Sequence, residues 1–196
     1  MVGQGLLRIS WRRVVLQAPL RMGGLRSHGC MKLESMQDLL VAEMQDLLSV
    51  ERQMAVVLPK VIKEVSHVPL RKELESHLAE TSQQEQRLES CFHKLGLVPQ
   101  SGRSHGMIGL ISGWMEVQSC QAQKDVLDAA IISSVQHMEH YEIAGYGCAR
   151  AFAQVLELME VAELLGRTLA EEERFDRRLS ELAKLLINRE AQLHSH

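Results

Sequence analysis

Between Met36 and Ser66 the apolar residues recur at steps of three and four: Leu39, Leu40, Met44, Leu47, Leu48, Val50, Met54, Val57 and Leu58. That period marks an amphipathic α-helix with one buried face. Ser35 is placed to cap it, and Asp38 sits in its first turn, where a carboxylate complements free N–H groups. Pro59 falls inside the pattern, yet Val61, Ile62 and Val65 continue the stripe. A kink is therefore expected there rather than a stop. A second helix is predicted over residues 70–95, with Leu70, Leu74, Leu78, Leu88, Cys91, Phe92 and Leu95 as its stripe. Pro69 suits its first turn, and Gly96 is its expected end.

Residues 97–122 carry Pro99, Gly102, Gly106, Gly109 and Gly113 among Met107, Ile108, Leu110, Ile111, Trp114 and Met115. They read as a loop followed by a short amphipathic helix over 106–119. A third long helix is predicted over 124–157 and a fourth over 160–189, with a short break that lacks a strong cap. Two helix pairs with tight turns, joined by one long connection, predict an all-α, ferritin-like four-helix bundle. Its crossover, between helices 2 and 3, would carry the short helix. The two halves also repeat. A shift of 91 residues, the separation of Glu51 from Glu142, aligns Leu74 with Leu165. The same shift aligns Leu78-Ala79-Glu80 with Leu169-Ala170-Glu171, and Arg87-Leu88 with Arg178-Leu179.

Composition fits this picture. The chain has 196 residues, 45% hydrophobic and 24% charged, enough for one core and short for two. Only 4% are aromatic, which favours helices over sheets. A net charge of -3 argues against a general nucleic-acid binder. No apolar run reaches the roughly 18–20 residues of a membrane span. Cys30, Cys91, Cys120 and Cys148 are widely spaced and form no C-x-x-C, as in a reduced, cytoplasmic protein.

Residues 1–30 differ from the rest, with Arg8, Arg12, Arg13, Arg21 and Arg26 and no acid before Glu34. A transit peptide and a basic arm for nucleic acid or lipid are both compatible with that composition. The preferred expectation is a true start at Met31. The expected layout is a disordered basic extension or mis-assigned start over 1–30, a bundle over 31–190, and a flexible tail over 191–196.

The segment SVQHMEHYEIAGYG places His137, Glu139, His140 and Glu142 inside an otherwise interior-looking helix. Glu139 and Glu142, at i and i+3, share a face, while His140 points about 100° from Glu139. Each half of the repeat offers a glutamate midway along its first helix and another 29 residues later. Buried carboxylates are costly unless paired or bound to metal. Four of them converging from four helices suit two iron or manganese ions. The expected core is Glu51, Glu80, Glu142 and Glu171, joined by Glu139, Gln84, Glu172 and Asp176. The Glu-x-x-His spacing usual on the second and fourth helices of such centres is absent, and amides Gln83 and Gln84 follow Glu80. Tyr141 and Tyr146 stand as carboxylate partners or as packing. The competing expectation is that Glu139 and Glu142 pair with a lysine or arginine from a neighbouring helix.

The segments MQDLLVAEMQDLLSVERQM, LPKV, HLAETSQQEQRLE, EHYEIAGYG and LLGRTLAEEERFDRRL, in order over residues 31–186, resemble the YciE/YciF family. These are ferritin-like bacterial proteins associated with stress and sometimes labelled ferroxidase-like. By position, the resemblance places Glu51 and Gln53 on the first helix, and His77, Leu78, Glu80 and Thr81 on the second. It places Glu139, His140, Tyr141 and Glu142 on the third, and Glu171 and Glu172 on the fourth. It implies a dimetal centre, weakened where Gln84 replaces the histidine of many relatives. The expected chemistry is oxidation of Fe(II), with O2 or peroxide as oxidant, in a chain that pairs as a homodimer. The alternative is a non-enzymatic helical scaffold or binding protein of the stress response without a working metal site.

Overall fold

The computed structural model describes residues 33–193. The expectations for residues 1–30, and for the tail beyond residue 193, lie outside the described residues. Every regular element among the described residues is helical. The helices are α1 (Met36–Glu64), α2 (Val68–Lys94), α3 (His105–Ser119), α4 (Lys124–Val155) and α5 (Met159–Leu182). A π-helical turn, Ala183–Ile187, leads into α6 (Asn188–Leu193). The last helix thus runs to Leu193, past the boundary expected at 190.

The helix ends follow local chemistry. The Ser35 hydroxyl accepts the Asp38 N–H at 3.1 Å and donates to the Asp38 carboxylate at 2.8 Å, closing the first turn of α1. Pro59 is tolerated within α1, which continues to Glu64. Gly96 ends α2 at a φ of +69°, a conformation that costs glycine nothing. The α1–α2 turn is held from outside. Buried Asp128, on α4, accepts the backbone N–H groups of Ser66 and His67 at 2.9 and 3.0 Å and the Ser66 hydroxyl at 2.5 Å. The α4–α5 turn has no side-chain cap on α5, and Glu157 takes a φ of +58° there, where glycine is the usual choice.

Helix α1 packs on α2 and α4, and α5 packs on the same two helices, so the four long helices enclose one interior. Helix α3 lies in the connection from α2 to α4 and packs on α4 and α1. Its entry is pinned. The Gly102 N–H donates to the Gln45 carbonyl at 2.8 Å, and Ser104 N–H donates to the Ser49 hydroxyl at 3.1 Å. The hydroxyls of Ser104 and Tyr141 both donate to one oxygen of Asp46, at 3.0 and 2.8 Å. Gly106 is required there, because a Cβ at this position would lie 2.4 Å from the Tyr141 ring.

The interior is divided along its length. One apolar cluster includes Met54, Leu58, Leu70, Leu74, Ile131, Met138, Phe175 and Leu179. The other includes Leu40, Met44, Leu47, Leu88, Phe92, Tyr146, Ala149 and Leu165. Along each long helix the residues between the two clusters form a buried polar layer. That layer consists of Glu51 on α1, His77, Thr81 and Gln84 on α2, Glu139 and Glu142 on α4, and Thr168 and Glu172 on α5.

Candidate metal centre

Each long helix enters the polar layer because its apolar stripe carries straight through it. On α2 the buried positions run Leu70, Leu74, His77, Thr81, Gln84, Leu88. On α5 they run Val161, Leu165, Thr168, Glu172, Phe175, Leu179. Both series step by three and four, the spacing of one helix face. Packing of the leucines above and below forces the polar residues between them inward.

His77 is the hub. Its Nε2 lies 3.3 Å from Oε1 of Glu139 and 3.8 Å from Oε2 of Glu172, and its Nδ1 lies 3.8 Å from Oε2 of Glu80. The His77 ring stacks on Phe175, with centroids 3.9 Å apart and planes 7° from parallel. The Arg178 guanidinium sits over the Phe175 ring, 5.8 Å from its centroid, and its Nε donates to Glu73 at 2.6 Å. That stack fixes the imidazole plane. His77, Glu139 and Glu172 each offer a ligand atom within 4.8 Å of the other two. Glu51 and Glu142 complete the buried carboxylates, and the Tyr146 phenol donates to Oε1 of Glu51.

The layer has far more acceptors than donors. Both oxygens of Glu139, both of Glu172, and Oε2 of Glu51 and of Glu142 are buried with no hydrogen-bond partner. No lysine or arginine among the described residues pairs with any of these four glutamates. Burial drives the Glu51 carboxyl up from 4.5 to about 8, against the Tyr146 hydrogen bond and the His77 charge. Glu142 and Glu172 are also pushed well above the ordinary carboxylate value, by burial first and then by the Glu139 charge. Burial works against the charged form of His77, but Glu139, Glu80 and Glu172 outweigh it and hold the imidazolium well above its ordinary range. Carboxylate oxygens with one imidazole nitrogen are a donor set for iron or manganese.

Six of the eight site residues expected from sequence line the layer or its edge. Glu51, Glu139, Glu142 and Glu172 are in it, with Gln84 beside them, its Oε1 buried and unpartnered. Glu80 stands at the margin, partly exposed, with one oxygen turned inward to His77. Two lie elsewhere. Glu171 faces Arg87, whose guanidinium donates to its two oxygens at 2.7 and 3.0 Å, while Gln84 donates to it at 3.2 Å. It is therefore the glutamate that takes an arginine, the arrangement considered for Glu139 and Glu142. Asp176 accepts from Gln136 at 2.8 Å and lies 3.6 Å from the exposed His140. Gln53 bonds to Ser49, and Tyr141 to Asp46.

His77 stands at the centre but was absent from the expected ligands. The leucine spacing on α2 points to it, since Leu70, Leu74 and Leu88 share a face with 77, 81 and 84. On α5, Leu165, Phe175 and Leu179 select Glu172 from the run of three glutamates in the same way.

Residues 35–192 match the family described as Domain of unknown function (DUF892). Protein YciF of Escherichia coli (strain K12) is 32% identical over 163 residues, covering 83% of this chain and 98% of that protein. The crystal structure of the E. coli stress protein YciF aligns with a TM-score of 0.76, covering 80% of this chain and 99% of that chain. The structure of YcfI from Rhodopseudomonas palustris also has a TM-score of 0.76, at 36% identity, covering 78% of this chain and 97% of that chain.

Proposed function

The chain belongs to the DUF892 family, and on that premise we propose that its buried polar layer is a carboxylate–histidine centre for iron or manganese. The scaffold fits a ferritin-like four-helix bundle, with α3 carried on the long crossover from α2 to α4. The observation that carries the proposal is the set of buried, unpartnered carboxylate oxygens on Glu51, Glu139, Glu142 and Glu172 beside His77. Four carboxylates share the single charge of His77, and an uncompensated carboxylate in a dry interior costs several kcal/mol, roughly, so the remainder need either protons or a further cation.

Glu139, Glu172 and His77 would hold an ion from α4, α5 and α2, with Glu51 and Glu142 available to a second. Bound iron would supply one-electron chemistry between Fe(II) and Fe(III), with O2 or peroxide as the oxidant. The protein's own part is to orient and to exclude. Phe175 fixes the imidazole, Tyr146 fixes Glu51, and the two apolar clusters keep bulk water from the layer. E. coli YciF is described as a stress protein, and a stress role is extended here to this chain, with oxidation of Fe(II) or handling of peroxide as the chemistry proposed for its own polar layer. Among the described residues no helix is long and apolar enough to cross a membrane. A cytoplasmic homodimer that binds neither nucleic acid nor membrane is the accompanying proposal.

The test is metal analysis of protein purified without chelator, together with melting in the presence and absence of Mn(II) or Fe(II). A ligand that binds only the folded state must raise the melting temperature. Bound iron or manganese, and a rise that disappears when Glu139 and Glu172 are both changed to glutamine, is the expected result. A chain that takes up no metal after anaerobic Fe(II) loading would instead support a non-enzymatic helical scaffold.

A further inference from the structure

The 91-residue repeat is visible in the burial pattern as well as in the sequence. Buried Leu70, Leu74, His77, Thr81, Gln84 and Leu88 of α2 correspond to buried Val161, Leu165, Thr168, Glu172, Phe175 and Leu179 of α5. Likewise Leu40, Met44, Leu47, Leu48, Glu51 and Met54 of α1 correspond to buried Ile131, Val135, Met138, Glu139, Glu142 and Gly145 of α4. The two halves therefore present equivalent positions to the polar layer, and each residue there can be compared with its counterpart.

The comparison is lopsided. Glu51 and Glu142 are counterparts, so both halves supply that carboxylate. The cluster of His77, Glu139 and Glu172 has Thr168, Leu48 and Thr81 as its counterparts. None of those three is a good ligand for a divalent cation. Leu48 has no donor atom. The Thr81 hydroxyl is engaged by the His77 carbonyl within α2, at 3.1 Å. The Thr168 hydroxyl accepts from Arg87 at 2.6 Å, so a fixed positive charge is bonded to the group that answers to His77. Tyr146 adds to the imbalance. Its counterpart is Ala55, so only Glu51 has a phenol on one of its oxygens, which leaves Oε2 for a ligand.

Resting on the metal reading above, we infer that the centre is built with two inequivalent positions: one tight site at His77, Glu139 and Glu172, and an opposite side that can hold a second divalent cation only loosely. The tight position offers three groups from three helices, already gathered. The other offers the single remaining oxygen of Glu51 and the carboxylate of Glu142, with Arg87 in place of an imidazole. A resident ion on one side and an exchangeable ion on the other follows, and the exchangeable ion is the one positioned to act as substrate.

Titration of the metal-free, full-length chain with Mn(II), counting free ion by its paramagnetic resonance signal, tests this without reference to activity. One tight ion per chain is expected, with any second step at least about 100-fold weaker, the upper end of what losing even an outer partner of a ligand costs. Glu172→Gln should weaken the tight step by about 100-fold or more, while Glu142→Gln should change it by less than about tenfold. His77→Gln provides the same reading if Glu172→Gln fails to fold by circular dichroism. Two steps of equal affinity, or equal damage to the tight step from Glu142→Gln and Glu172→Gln, would overturn the inequivalence and leave the metal centre standing. No bound Mn(II) at millimolar concentration would remove the metal centre itself.

Discussion

Tyr146 and Glu51 face each other across the interior from α4 and α1, and the phenol donates its proton to the carboxyl oxygen Oε1. Both side chains are shut off from solvent. This bond favours the charged form of Glu51, in opposition to burial. Tyr146→Phe removes the donor and leaves a buried oxygen unpartnered. The metal-free chain is expected to lose about 1–3 kcal/mol in urea unfolding. Mn(II) binding at neutral pH should weaken as well, since the carboxyl then holds its proton more firmly.

The pH dependence has a definite sign. Glu51 titrates at about 8 in the folded chain against an ordinary 4.5, and Glu142 and Glu172 are raised in the same direction. Between those values the folded state holds protons that the unfolded state has released. Stability contributed by these groups is complete below 4.5 and is lost as pH rises through the folded values. His77 acts the same way, with its contribution complete below 6.5 and lost as pH rises from there through its raised folded value. The melting temperature of the metal-free chain should therefore decline between about pH 5 and pH 8. Metal must displace those protons, so saturating Mn(II) should flatten or reverse the decline. A metal-free profile that climbs over that range would contradict the assignment of burial to these carboxyls.

Adjacent glutamates on α5 should behave as opposites. Glu171→Gln keeps the Mn(II) stoichiometry, because both Glu171 oxygens are taken by Arg87, and Gln84 is its one partner from the polar layer. Glu172→Gln loses tight binding. Arg87→Ala leaves Glu171 without its charge partner and with only the Gln84 amide, removes the donor to the Thr168 hydroxyl, and should cost about 2–3 kcal/mol, below the range for fully buried pairs because this one is partly exposed. Parallel calorimetric titration and chemical unfolding of the three variants would separate the two roles.

Gly106→Ala should loosen the junction between α3 and the body of the fold. The added methyl would meet the Tyr141 ring at 2.4 Å, and that ring is tied to Asp46 and Ser104. A cost of about 1–3 kcal/mol is expected, as for other overpacked sites. Hydrogen exchange should report faster opening at residues 102–110 while α2 and α5 stay protected.

The long helices were legible because leucine, methionine and valine mark one face of each. The site was legible only where that marking is dense. On α4, Met138 and Tyr146 bracket Glu139 and Glu142 closely enough to place both inside. On α2 the inward face passes through His77, Thr81 and Gln84, so three consecutive interior steps carry no hydrophobic signal. Leu78, only partly buried, offered an apolar alternative to His77 on the stripe, while Glu80 came from the 91-residue repeat and not from the hydrophobic face. The same repeat selected Glu171, the counterpart of Glu80, in place of its buried neighbour Glu172. Periodicity fades where a helix buries chemistry instead of hydrocarbon, and the face must then be extended from the leucines on either side.

Because the polar layer is bracketed by hydrocarbon on both sides, it also acts as an alignment key for the helices. A slip of any long helix by one turn, about 5.4 Å, would carry a glutamate or His77 into a leucine-lined region and replace it in the layer with an aliphatic side chain. Uniform leucine cores tolerate such slips, whereas a single buried polar position can hold helices in one register. The groups proposed to bind metal would in this way also determine which of several near-equivalent packings the chain adopts, and replacing all of them by leucine should give a protein more stable and less singular in structure.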